Sequence, residues 1–310
     1  MLEQLETILV DVVEEVIPSV VSVTTTKLQR VSFYRVAPLQ GQGSGVILSD
    51  DGYIITNAHV VKGAEKLEVT LHNGKSHQAT VVGKSSIRDL AVLKIPSNGL
   101  NPIKISDSSE LKVGQFALAI GNPLGLGSTA TLGVVSAVDR TIQTRKMFLE
   151  GLVQTSAQIN PGNSGGALVN TRAELIGIPT AMIPWSQGIG FAIAIDGVKA
   201  VYKELTETGT VRTPWIGIVG LTLNAGMASH YGIPIDKGAL IVQVPKGPAL
   251  TAGIEPGDVI TSVEGNQIES MENLRGIIIS SRVGSEINIE LNRQNTIVNK
   301  TIILEEAPEV

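Results

Sequence analysis

Leu2, Leu5, Ile8, Leu9, Val12, Val13 and Val16 recur at helical spacing, with Glu3, Glu6, Asp11, Glu14 and Glu15 between them. The pattern predicts an amphipathic helix within residues 1–18. Beyond it the period changes. Short runs rich in Val and Ile, separated by Gly, Pro and Asn, predict strands at 19–27, 43–48, 53–56, 67–71, 78–82, 113–120, 129–138, 167–169, 175–179 and 190–194. Asp51-Gly52 and Asn73-Gly74 predict hairpin turns. Two stretches predict no strand: 28–42, a connection with Phe33, Tyr34 and Pro38, and the polar 139–151, a loop leading towards residues 158–166. A helix follows over 196–208, with Gly209 as its stop. Residues 210–214 read as a linker. A smaller unit over 215–306 carries a helix near 271–281 and strands at 287–293 and 296–304.

The chain's 310 residues suffice for two domains, and with 43% hydrophobic side chains they can bury a sizeable core. Only 3% are aromatic, so the sheets must be filled by β-branched residues. A formal net charge of −5 gives no basic footprint for nucleic acid. With no cysteine, neither a disulfide scaffold nor a thiol nucleophile is available. The acidic first helix would be repelled by anionic lipid, so its expected place is against the chain's own barrel or a neighbouring subunit. It has neither the cationic start nor the unbroken apolar core of a leader, which makes the cytoplasm the expected compartment of the chain as it stands. A trimmed leader or anchor would put it outside the cytoplasm.

Chemistry concentrates at Gln158-Ile159-Asn160-Pro161-Gly162-Asn163-Ser164-Gly165-Gly166. A serine on a glycine-rich turn can hold its hydroxyl clear of the backbone, while turn N–H groups at Gly162, Asn163 and Ser164 offer a cradle for an oxyanion. Alone, such a turn is as readily a link between two strands. His59, in TNAHVV, and Asp89, ahead of the apolar run LAVLKI, change that reading. A histidine accepts the serine proton only when an acid fixes its tautomer, and an aspartate entering an apolar strand is placed to be that acid. His72 and His77 flank the Asn73-Gly74 turn without a third ligand, so they read as solvated and no metal or cofactor is expected.

The stretches TNAHVV, RDLAVLKI and QINPGNSGGAL resemble the signatures of the HtrA/Deg branch of chymotrypsin-like serine proteases, and the resemblance runs from about residue 16 to 304. It implies a mainly β fold: a chymotrypsin-like double β-barrel over 19–209, followed by a small α+β PDZ domain over 215–306. His59 would be the general base, Asp89 the orienting acid and Ser164 the nucleophile. Trp215, Ile216, Gly217 and Ile218 match the PDZ carboxylate-binding loop, whose N–H groups would receive a peptide C-terminus. The implied activity is ATP-independent digestion of unfolded or misfolded proteins by a homotrimer. A weakly active holdase or peptide-binding adaptor is the competing expectation. In the family, the loop at 139–151 senses an activator, which makes Arg145 and Phe148 candidates for that task.

Two departures shape the expectation. The family usually has aspartate and alanine where this chain has Ser156 and Gln158. Gln158, Ile159, Ile178, Ala181 and Ile189 would then line an apolar, shallow pocket, so that cleavage follows small aliphatic residues. Asn163 stands where digestive proteases carry an aspartate that pairs with a newly cut N-terminus. A neutral amide forms no such pair, so loop ordering would have to complete the oxyanion hole.

Overall fold

Alternation at period two, with Val and Ile facing inwards, builds a mostly β molecule. The computed structural model describes residues 2–32, 35–107, 111–122, 127–143, 148–160, 162–182 and 188–307, and the chain divides into two units, Met1–Val211 and Arg212–Val310.

Helix α1 (Leu2–Val16) opens the first unit and runs into a 3-10 turn at Ile17–Ser19. Its Val12 and Val16 are buried in the main core, while Ile8 and Val10 remain exposed. The first sheet follows: β1 (Val20–Ser32), β2 (Arg35–Ile47), β3 (Tyr53–Thr56), the short helix α2 (Ala58–Val61), β4 (Lys66–Thr70), β5 (Ser76–Gln78), β6 (Thr80–Ser85) and β7 (Leu90–Lys94). Its order is β5-β4-β1-β2-β3-β7-β6. Strands β5 and β6 are separated in the chain by Ala79 alone, yet they stand at opposite ends of that order, so the sheet curls into a barrel.

Two expectations fail here. The span 28–42 is no connection: it completes β1 and β2, which pair from Val20↔Val46 to Ser32↔Arg35. Backbone ladder bonds, not side-chain pattern, make that hairpin; Phe33 and Tyr34 lie outside the described residues. The strand expected over 78–82 is cut at Ala79, whose N–H bonds the Leu67 carbonyl at 2.9 Å.

The second sheet comprises β8 (Lys104–Ile105), β9 (Phe116–Gly121), β10 (Thr129–Gln143), β11 (Phe148–Thr155), β12 (Ala167–Val169), β13 (Glu174–Met182) and β14 (Gly190–Ala194). Its order is β12-β9-β10-β11-β14-β13-β8, and an added β12–β13 pairing closes it. Of the loop expected over 139–151, residues 139–143 end β10 and residues 148–151 begin β11, paired through Ile142↔Leu149 and Gln143↔Phe148, and 144–147 lie outside the described residues. Three register shifts and a positive φ of 53° at Asp139 break the alternation, which is why no period shows in the sequence. Arg145 lies outside the described residues, as does the Phe148 side chain. Helix α3 (Ile195–Thr208) buries Ile195, Val198, Val201 and Leu205 and ends at Gly209, whose φ of 76° lets its N–H reach the Leu205 carbonyl.

The second unit runs β15 (Pro214–Trp215), β16 (Val219–Leu223), α4 (Ala225–Tyr231), β17 (Gly238–Gln243), α5 (Pro248–Thr251), β18 (Val259–Val263), β19 (Asn266–Gln267), α6 (Met271–Ser280), β20 (Glu286–Arg293), β21 (Thr296–Ile303) and β22 (Glu305–Glu306). The main sheet is ordered β16-β17-β18-β20-β21, which leaves β16 an edge strand, and β15 pairs separately with β22. Asp258, 1% exposed, is held bidentately by Arg293 at 2.7 and 2.8 Å, which satisfies a buried charge.

Candidate active site

His59 lies in α2, two residues after the N-cap Asn57 and just beyond β3, so the strand delivers it to the rim of the barrel. Its Nδ1 stands 2.8 Å from Oδ2 and 3.0 Å from Oδ1 of Asp89, and its backbone N–H donates to Oδ1 at 3.0 Å. Asp89 is 2% exposed. Its φ of 51°, in the left-handed region that aspartate tolerates, turns the side chain back under α2 at the entry to β7. The Thr180 hydroxyl donates to Oδ2, and the Asn57 amide donates to the Asp89 carbonyl at 2.9 Å. A carboxylate this deep persists because donors surround it. With Nδ1–H committed to Asp89, the lone pair of the imidazole is left on Nε2, the atom a general base uses.

Ser164 shares one cleft of about 390 Å³ with His59, Ile159, Asn160, Gly162 and Thr180. Among the described residues no hydrogen bond joins the imidazole to the Ser164 hydroxyl; such bonds tighten when substrate displaces water. The turn itself is closed by Asn163 N–H on the Asn160 carbonyl and Gly166 N–H on the Asn163 carbonyl, both at 3.0 Å. Gly162 and Gly165 adopt φ of 107° and 82°. A Cβ on Gly165 would lie 2.3 Å from the Ser44 carbonyl, so only glycine fits there. Asn163 is corrected as an oxyanion donor, because its N–H is already spent within the turn. The N–H groups of Gly162 and Ser164 have no acceptor among the described residues.

The pocket residues divide. Ile159 is 5% exposed and forms part of the cleft wall. Ile178 is withdrawn completely into the main core, and Ile189 packs half-buried against the same core. Neither lines the described cleft: β13 turns Ile178 inwards, and Ile189 lies just ahead of β14 against the core. Gln158 is exposed, outside the described cleft wall, and its carbonyl accepts from the Thr131 hydroxyl at 2.9 Å. The Ser156 hydroxyl accepts the Val134 N–H at 3.0 Å, so this departure serves the backbone. Ala181 belongs to β13, with its side chain outside the described residues.

Sequence reasoning missed Thr180, Asn57 and Ser44. Between Pro179 and Ala181 the pairing of β13 with β14 skips a residue, so Thr180 is the extra residue of a bulge that aims it at Asp89. The available signal was Pro179, a proline inside a strand of a closed sheet.

In the second unit, Trp215 lies in β15 and its indole sits beneath Gly217 and Gly247, where added Cβ atoms would approach it to 3.2 and 2.6 Å. Ile216 is 3% exposed, and its carbonyl accepts Ala249 N–H at 2.7 Å. Gly217 has φ of 79° and Ile218 is half-buried, and the two lead into the edge strand β16. Met271, at the start of α6, donates its N–H to the Thr222 hydroxyl at 3.1 Å, setting that helix beside β16.

Family models for a trypsin-like peptidase domain and a PDZ domain match residues 43–178 and 218–304. The probable periplasmic serine endoprotease DegP-like of Buchnera aphidicola subsp. Baizongia pistaciae is 42% identical, the match covering 95% of this chain and 69% of that protein. The chain belongs to the HtrA/Deg family of serine proteases. Another member, the periplasmic serine endoprotease DegP of Escherichia coli K12, is 42% identical across 86% of this chain but only 57% of its own length. The chain thus spans little more than half of some curated family members. The solved HtrA-type protease AlgW with decapeptide superposes at a TM-score of 0.81, with 33% identity over 97% of this chain and 99% of that one. The serine endoprotease from Yersinia pestis gives a TM-score of 0.72 at 36% identity, covering 96% and 97% of the two chains. Several of these HtrA/Deg relatives are named periplasmic, so the cytoplasmic expectation finds no support and an extracytoplasmic place does. Among the described residues no helix is long and apolar enough to cross a membrane, and no group of three potential metal-ligating side chains occurs.

Proposed function

We propose that the chain is an ATP-independent serine endopeptidase that works outside the cytoplasm on unfolded or damaged proteins. The observation that carries this reading is the buried Asp89 carboxylate on Nδ1 of a histidine whose cleft also holds Ser164. His59 takes the Ser164 proton as the hydroxyl attacks the scissile carbonyl, and returns it to the leaving amine. The N–H groups of Gly162 and Ser164 receive the oxyanion. Water then resolves the acyl-enzyme, with His59 again as base. Ile159 supplies an apolar wall and no described wall residue is acidic, which favours cleavage after small aliphatic residues. A homotrimer is the proposed assembly, on family likeness.

The absent His59–Ser164 hydrogen bond supports a second reading, a holdase or adaptor with a resting cleft. A fluorophosphonate probe separates the two. Labelling at Ser164, found by peptide mapping, is the expected result; none, even with unfolded protein and C-terminal peptide present, leaves the adaptor.

The second unit is proposed to bind peptide C-termini, laid along β16 beside α6 with the carboxylate at the N–H groups of Ile216, Gly217 and Ile218. Peptides with a free C-terminus should bind about tenfold or more tightly than their amides by calorimetry, since the amide forfeits charge-assisted hydrogen bonds. Equal affinities would remove the carboxylate site.

A further inference from the structure

Ser44 is the middle residue of Gly43-Ser44-Gly45 and is 0% exposed. All its polar groups are used. The N–H donates to the Ser164 carbonyl at 3.0 Å, and the carbonyl accepts the Thr56 hydroxyl at 2.7 Å. The hydroxyl donates to the Gly162 carbonyl at 2.6 Å and accepts the Asn122 N–H at 2.8 Å. One side chain therefore ties the oxyanion turn to the end of β9, while its backbone ties the same turn to the strand that precedes His59.

The peptide between Gly162 and Asn163 is consequently held at both ends, its carbonyl by Ser44 and its N–H by the Asn160 carbonyl. Gly162 has the widest φ freedom of any residue and sits at φ 107°, so nothing intrinsic to it fixes the direction of its own N–H. Anchoring the following peptide removes most of that freedom. Gly121 makes the contact possible: a Cβ there would lie 2.9 Å from Ser44 Oγ and 2.8 Å from Asn163 Cα. A neighbouring hydroxyl shows the contrast. Ser22 faces Ser44 across the β1–β2 ladder, and its buried Oγ has no partner among the described residues.

We propose that the Ser44 hydroxyl is the positioning group of the oxyanion hole, holding Gly162 so that its N–H and that of Ser164 converge on one point. This rests on Ser164 being the nucleophile. Ser44 touches no reacting atom; it acts through Gly162. Misaligning one donor weakens binding of the tetrahedral species and leaves ground-state binding nearly intact.

The test compares wild type, Ser44→Ala and Ser22→Ala in the full chain. For Ser44→Ala, kcat on a fluorogenic peptide should fall by about 10- to 100-fold while KM stays within about twofold. Affinity for a peptide boronate, which forms a tetrahedral adduct, should weaken by the same factor, and affinity for the cleaved product peptide should not. Fluorophosphonate should label it more slowly but to the wild-type endpoint, which sets aside loss of folded protein. Ser22→Ala should match wild type in every reading. Unchanged kcat and boronate affinity in Ser44→Ala, or equal losses for boronate and product peptide, would overturn the proposal. Should the alanine variant not fold, Ser44→Cys is read by the same ratios, and failure of both to fold would assign these contacts to stability alone. A wild type that never labels would sink the nucleophile reading along with this one.

Discussion

Replacing Ser164 with alanine is expected to lower casein turnover by about 10⁴- to 10⁶-fold, with no loss of folding stability. The two halves of that expectation have separate causes. The chemical loss is large because the other hydroxyls of the described cleft are poorly placed to attack: that of Thr180 is committed to Asp89, and Thr25 is buried at 1% exposure. What remains is catalysis by the oxyanion donors and by binding alone. Stability survives because Ser164 contributes to the fold through its carbonyl, which accepts Ser44 N–H, whereas its hydroxyl bonds no described residue. Turnover of casein and thermal melting of the purified variant decide the matter. A variant that keeps a tenth of wild-type turnover would remove Ser164 from the reaction. A variant that no longer folds would mean that the hydroxyl is structural.

The second large effect is expected from Asp89→Asn. An asparagine can present its NH₂ to Nδ1, which moves the imidazole proton to Nε2 and leaves no lone pair facing the serine. The expected loss in kcat is about 10⁴-fold. Asp89 sits beneath α2 with the Thr180 hydroxyl donating to Oδ2 and the His59 N–H donating to Oδ1, and the single oxygen of an asparagine still accepts one of them. Losing a buried charge while keeping one of those two bonds should leave stability within about 2 kcal/mol of wild type. Nitrogen NMR of the imidazole provides the independent reading: the protonated nitrogen should switch from Nδ1 to Nε2. A kcat within tenfold of wild type, or an unswitched tautomer, would deny Asp89 its orienting role.

The parts legible in the sequence were those in which a single stretch carries its own physics. Ser164 announces itself through the glycines around it, and Asp89 through the apolar strand it opens. Helix α3 is visible because its buried residues repeat at 3.6 and Gly209 ends it. What stayed hidden depends on register between distant strands. Thr180 meets Asp89 only because β13 carries one extra residue against β14, a shift that no local pattern reports. Ser44 reads as an ordinary hairpin residue until β2 is laid against the turn at 160–166. The same limit explains the pocket error. Ile159 and Ile178 look alike in sequence, yet one borders the cleft and the other is sealed in the core. The β10–β11 pairing was lost because successive bulges rotate its residues out of phase.

Asn163 is 1% exposed, uncharged, and joined to its own turn through its backbone N–H and carbonyl. An uncharged amide forms no ion pair with a freshly exposed amino terminus, so the charge pairing that switches on digestive proteases after a cut has no counterpart at this position. An equilibrium held by a few hydrogen bonds can be tipped by any ligand that prefers one arrangement by about 5 kcal/mol, and it falls back when that ligand leaves. A turn switched in that way can be called up and stood down repeatedly, whereas a cut made once cannot be undone.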